Sequence, residues 1–147
     1  MKSHYRKLAF ALTINGIVMY FVMYTMIDTL GHFHFNINQL YMTLMMVAPM
    51  LIVMILVMRA MFENEKLNYL LLGASAVVFV ASVLFMRTQF AVGNTEFLRA
   101  MIPHHSGAIL MCERSAITDP EISVLCDQII KSQKEEIAQM ERILARY

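Results

Sequence analysis

Residues 40–58 read LYMTLMMVAPMLIVMILVM. No charge interrupts the run, and its length meets the ~18–20 residues a helix needs to cross a bilayer core. Backbone groups in lipid find no water, so a helix, which pairs them internally, is the expected form. Pro49 lies inside the run and removes one donor, which predicts a kink. Two similar runs flank it: Leu8–Ile27, LAFALTINGIVMYFVMYTMI, and Tyr69–Met86, YLLLGASAVVFVASVLFM. The pattern predicts an all-α protein with a membrane domain over residues 1–87 and spans near 8–27, 40–58 and 69–86. Composition agrees: 59% of the residues are hydrophobic, against roughly 45–50% in soluble domains. The net charge of +1 gives no basis for a nucleic-acid partner; the bilayer is the expected one. Two cysteines are too few for a disulfide framework.

The first run follows Lys2, Arg6 and Lys7, as a signal peptide would, but it is too long and is followed by YTMIDTLGHF, without a small-x-small cleavage site. It reads as an uncleaved anchor. The first loop, Asp28–Gln39, has no Lys or Arg, whereas the second, RAMFENEKLN, carries Arg59 and Lys66. Basic segments stay cytoplasmic. This predicts a cytoplasmic N-terminus and, after an odd number of spans, a C-terminal domain on the outer side, the periplasm of a Gram-negative cell.

Residues 88–147 hold most of the charges. Asn94 is placed to cap a helix that begins at Thr95 and runs to about Ala116. Asp119 and Pro120 open a second helix that runs to about Ala145, with Ile122, Leu125, Ile129, Ile130, Ile137, Met140 and Leu144 at three- and four-residue spacing. A short turn between them predicts an antiparallel hairpin. A hairpin of ~60 residues is marginal alone. It needs docking on the third span, a metal, or a second protomer that completes a four-helix bundle.

The chemistry concentrates in MIPHHSGAILMCE, residues 101–113. At ~100° per residue, Met101, His104, His105, Ala108, Met111 and Cys112 share an arc of roughly 120°. Adjacent helical residues diverge, so both histidines reach one ion only through a kink at Pro103 or with a second chain. On the facing helix Met140, Glu136, Gln133 and Cys126 share a line. A site drawn from Met101, His104, His105, Met111 and Met140 is expected, with Gln133 or Glu136 behind it and the histidines level with Lys131 to Gln133. Thioether and imidazole suit Cu(I). A di-iron centre would want Glu-x-x-His pairs, and none occurs. Cys112 and Cys126 lie level and have three readings: small buried residues, a disulfide in an oxidising compartment, or further copper ligands. His32 and His34 in GHFHFN either hold or pass a metal ion or are plain interfacial residues. The many Met residues of the spans, Met42, Met46, Met50, Met54 and Met58 among them, read as packing ridges or as a thioether path across the bilayer.

The stretch FLRAMIPHHSGAILMCE and the later SQKEEIAQM resemble the DUF305 family. The family's pattern falls on Met101, His104, His105, Ala108, Ile109 and Met111, then on Gln133, Glu136, Ile137 and Met140. The resemblance covers about residues 94–145 and leaves the three spans outside. It implies a ferritin-like helical fold, a bacterial and extracytoplasmic setting, and a role in copper binding or tolerance. The expected function is a membrane-anchored, periplasm-facing protein that binds Cu(I) for sequestration, tolerance or delivery to copper-handling partners. It has no catalytic residues and forms a homo-oligomer where the site lies between chains. The competing readings are a copper-transporter subunit, a cuprous oxidase and a structural oligomerisation protein.

Overall fold

The computed structural model describes residues 2–147, which form five α-helices and, among the described residues, no strand. They are α1 (Lys2–Val22), α2 (Ile37–Val57), α3 (Glu65–Thr88), α4 (Asn94–Arg114) and α5 (Pro120–Leu144). Short 3-10 turns occupy Met23–Met26, Leu30–His32 and Arg59–Met61. The three N-terminal helices are long and apolar enough to cross a membrane, over His4–Met26, Ile37–Val57 and Glu65–Thr88, with mean hydropathies of 1.7, 2.5 and 2.3. Each helix begins before its apolar run; α1 gives way to a 3-10 turn at Met23 and α2 ends at Val57, while α3 runs past Met86 to Thr88. Asn64 caps α3 by accepting from the Leu67 amide at 3.0 Å.

The chain divides into two compact units. One comprises the chain up to Val22 together with Asn38–Phe90. Its core is Leu8, Ile55 and Phe62, packed by Tyr5, Leu12, Leu51, Met54, Met58, Leu71 and Leu72. Polar ties fix its ends. The Tyr5 hydroxyl donates to Asn68 Oδ1 at 2.8 Å, and Asn68 donates to the Phe62 carbonyl at 2.7 Å. Midway, the buried Ser75 hydroxyl donates to the Ala48 carbonyl beside Pro49 at 2.6 Å. In hydrocarbon such bonds have no water competitor. α3 ends at Gln89, whose left-handed backbone (φ 52, ψ 42) lets its amide and that of Phe90 turn back to the Phe85 carbonyl.

The second unit joins the first loop, Met23–Ile37, to Ala91–Tyr147. The sequence places one break near residue 87; the structure instead gathers the loop with the C-terminal helices. α4 and α5 form the expected hairpin. Its core is Leu98, Ile102 and Ile109 against Ile137 and Met140, with Met101, Ile143 and Leu144 packed around it. Ile102 and Ile109 are fully buried, each worth about 1.5–3 kcal/mol. Asp119 caps α5, accepting from the Glu121 and Ile122 amides at 2.8 and 3.2 Å, a contribution of about 1 kcal/mol. α4 starts one residue earlier than expected: Gly93 is its N-cap, without a side-chain bond, and Asn94 is already helical.

Cys112 and Cys126 are joined as a disulfide, their Cα atoms 5.3 Å apart. Of the three readings of this pair, the structure takes the second, and in this state neither sulfur is a thiolate ligand. The cross-link closes a loop of 14 residues in sequence, worth about 3 kcal/mol by loop entropy. Lys134 adds an exposed tie to Glu113 at 2.9 Å across the same hairpin. Reduction of the disulfide, or Cys112→Ser with Cys126→Ser, is expected to speed hydrogen exchange of the α5 amides around Cys126 by about two orders of magnitude. Mass-spectrometric exchange on the full chain in detergent reads this directly; unchanged rates would show that the cross-link carries no stability.

Candidate functional site

α4 is the central element of the second unit. Its buried stripe is Leu98, Ile102, His105, Ser106 and Ile109, the i, i+4, i+7 spacing of a helix with one covered face. α5 covers one side of it. The first loop covers another, through its two 3-10 turns. The loop can approach because positions 106 and 107 are small. A Cβ on Gly107 would come within 3.3 Å of the Met26 carbonyl. Ser106 is fully buried, and its Oγ accepts the Asp28 amide at 2.7 Å and lies 2.8 Å from His32 Nδ1.

The loop has its own internal order. The Tyr24 hydroxyl and the Asn36 amide both donate to the His34 carbonyl, at 2.6 and 3.1 Å. Asn36 also donates to the Tyr24 hydroxyl at 3.1 Å. The Phe33 ring packs on Tyr24, with centroids 4.4 Å apart, and meets Phe35 edge-on at 5.0 Å. Glu96 of α4 closes the far end by accepting the Ile37 amide at 3.1 Å.

The predicted ligand face is split by burial. His105 points inward and is buried; His104 is exposed, and their ring centroids lie 6.0 Å apart at 58°. Met101 packs on the hairpin core, and Met140 is part of it. Met111, at 60% exposure, stands in solvent, outside the hairpin core that includes Met140. Gln133 is half-buried and Glu136 exposed. Glu136 Oε2 comes to 3.1 Å of His105 Nδ1, but without hydrogen-bond alignment, so this buried nitrogen has a charge neighbour and no hydrogen bond. Glu136 thus takes the level expected of Lys131 to Gln133, about one turn along. Among the described residues, no group of three or more His, Cys, Asp or Glu is gathered as a metal would need. The physical reasons are the divergence of the adjacent histidines and the pairing of both thiols with each other. The remaining soft donors are thioethers: Met101 stands one turn before His105, on the same ridge, and packs on the core that includes Met140.

Two histidines lie below their ordinary range. For His105 burial is the main cause, opposed by Glu136 and reinforced by His104. For His34 burial again leads, opposed by Glu141 and reinforced by Arg99 and His32. The His34 Nε2 atom is shielded from solvent and has no hydrogen-bond partner. The loop histidines are the feature that sequence reasoning left undecided. The usable signal was the small Ser106–Gly107 pair in the middle of a helix of larger residues.

Two outcomes follow from this geometry. Ser106→Ala strips the Asp28 amide of its acceptor and is expected to cost about 1–3 kcal/mol; the Asp28–His34 amides then exchange faster, whereas a docked loop with wild-type protection would refute the role given to Ser106. For pH, the unfolded chain takes up protons at these two positions near 6.5 while the folded imidazoles resist them. Their contribution is therefore complete above pH 6.5 and declines as pH falls through that value toward the lowered folded values. Denaturation of the hairpin at pH 7.5 and 5 should show this loss, and His34→Gln and His105→Gln should each flatten it.

The comparisons agree with this architecture. The family described as a domain of unknown function, DUF305, matches residues 81–144. An uncharacterized protein of Acanthamoeba polyphaga mimivirus is 31% identical over 119 residues, covering 80% of this chain and 76% of that protein. No solved structure matches the chain. The mimivirus match is longer than the hairpin, and with the family match over residues 81–144 it gives the conclusion that the chain belongs to the DUF305 family.

Proposed function

We propose that this protein is a membrane-anchored copper-binding protein that holds Cu(I) on the α4–α5 hairpin for sequestration, tolerance or delivery to copper-handling partners. The observation that carries the reading is the grouping of neutral soft donors against an apolar core. Met101 packs on the cluster that contains Met140, and the buried imidazole of His105 lies one turn away on the same ridge. Thioether and imidazole are the donor types Cu(I) prefers. Thioethers carry no proton to lose, so the two sulfur donors keep their lone pairs in acid, while the imidazole must be neutral to bind. The donor set fits the ion: Met101, His105 and Met140 would hold it, and exposed His104 would receive it at the surface. Glu136 beside His105 supplies a compensating negative charge. Met111 belongs to this reading only as an outer contact, given its exposure.

The proposed orientation has the N-terminus in the cytoplasm and the hairpin on the outer side of a bacterial plasma membrane. Two independent features support it. Lys and Arg are missing from the first loop and present in the first turns of α1 and after α2. The Cys112–Cys126 disulfide suits an oxidising compartment. In the spans, Met54 and Met58 pack on the Leu8–Ile55–Phe62 core, which supports a packing role for that ridge over a conduction role.

The test is Cu(I) competition against a chromogenic chelator, with the full chain in detergent beside a Met101→Ala, His105→Ala variant and a His104→Ala variant. The expected result is at least a hundredfold loss of affinity in the double variant and a smaller loss for His104→Ala. Affinity that survives in the double variant would remove this site.

A further inference from the structure

A hairpin of two helices has two broad sides, and the first loop takes only one of them. We propose that a second copy of this chain packs on the other, so that two hairpins form a four-helix bundle.

Helix geometry separates the two sides. The disulfide marks the direction in which α4 and α5 face each other. Ser106, which bonds the loop, lies ~120° round α4 from Cys112. Glu113 and Lys134, 2.9 Å apart, mark that same side on both helices. On the opposite side of α4, Phe97, His104 and Met111 share an arc of roughly 40°. All three are exposed, Phe97 at 51% and Met111 at 60%. On α5, Leu125, Ile129, Glu136 and Ile143 share a matching arc on that side. Leu125 is 51% exposed, and Ile129 and Ile143 are half-buried. The hairpin thus leaves a mostly apolar face uncovered, facing away from the loop.

The face is complementary to itself, which selects a second copy as the occupant. Three contacts fix the register of α4 on α5: Cys112–Cys126, His105–Glu136 and Asn94–Tyr147. In that register Phe97 lies level with Ile143, His104 with Glu136, and Met111 with Ile129. A two-fold axis along the hairpin lays α4 of one copy over α5 of the other at equal levels. Apolar residues then meet apolar residues at both ends. In the middle, His104 meets Glu136 of the second copy, an N–H donor against a carboxylate. Glu136 has room for it. Its Oε1 accepts from Ser132 at 2.8 Å, and its Oε2 makes no hydrogen bond with His105.

The size is sufficient. From Ile122 to Ile143 the face is ~32 Å long and about two helix diameters wide, so pairing buries roughly 600 Å² on each copy, at the lower bound of stable interfaces. A lipid surface is the poorer match. No Lys or Arg falls on this face among the described residues, whereas helices that lie on membranes carry them. The pairing does not rest on the copper reading. Copper uptake through His104 belongs to the separated protomer.

Sedimentation of the metal-free full chain in detergent, over a dilution series, tests the proposal. The wild type is expected to dimerise. Met111→Glu with Leu125→Glu, both exposed in the single copy, should weaken the dimer at least tenfold. Val124→Glu, equally exposed at 57% but on the outer side of α5, should leave it unchanged. A benzophenone side chain at position 111 should cross-link to residues 125–129 of the other copy in a mixture of isotopically labelled and unlabelled chains. A wild type that stays monomeric at every concentration would overturn the proposal. So would a dimer that withstands the double variant, an equal loss with Val124→Glu, or cross-links confined to one chain. Slower hydrogen exchange over residues 122–129 on lipid vesicles, at dilutions where only monomer exists, would assign the face to lipid instead.

Discussion

The hydroxyl of Ser106 is the point on which the C-terminal unit is organised. It is fully buried, so its bonding capacity has to be met by protein. The partners it finds belong to the first loop, some 74 to 78 residues earlier in the chain. Gly107 beside it leaves room for the loop backbone. A two-helix hairpin, too small to bury much apolar surface, thereby gains a third covering element. The disulfide near the turn and the Asp119 cap complete the set of restraints. Sequence reasoning looked for that support in the third span, a bound metal or a second protomer; within this unit the loop between α1 and α2 supplies a covering element.

The membrane helices follow a different economy. Most of their surface faces outward: only 11%, 22% and 11% of the residues in their apolar windows are buried. Their specificity therefore rests on a few interior contacts. The Leu8–Ile55–Phe62 cluster and the Ser75–Ala48 bond supply it, with polar ties at Tyr5–Asn68 and Tyr41–Phe90. Met suits such helices because an unbranched side chain fills irregular gaps.

The spans were legible because unbroken apolar runs have one solution in lipid. The start of α5 was legible because Asp119–Pro120 joins a cap to a residue preset for the first turn. The face that bears Met101, His104, His105 and Met111 was legible only as an angular grouping. Burial divides it, because the covered stripe steps from Leu98 to Ile102, His105 and Ile109, and His104 and Met111 fall to its side. The state of Cys112 and Cys126 was not decidable from spacing, since it depends on hairpin register. Docking of the loop was invisible for a related reason. Its bonds to Ser106 are long-range and involve single polar atoms, which leave no period in the sequence.

The docked loop and the proposed copper site meet on α4: the loop bonds to Ser106 of the helix that carries Met101 and His105, so an ion held on that helix is expected to steady both. Hydrogen–deuterium exchange of the full chain, with and without one to two equivalents of Cu(I), tests it most directly. The account predicts that residues 28–34 are already protected in the metal-free protein, and that Cu(I) slows exchange there and across 101–109. Loop amides that exchange as an open linker, with no response to Cu(I) in either segment, would contradict it.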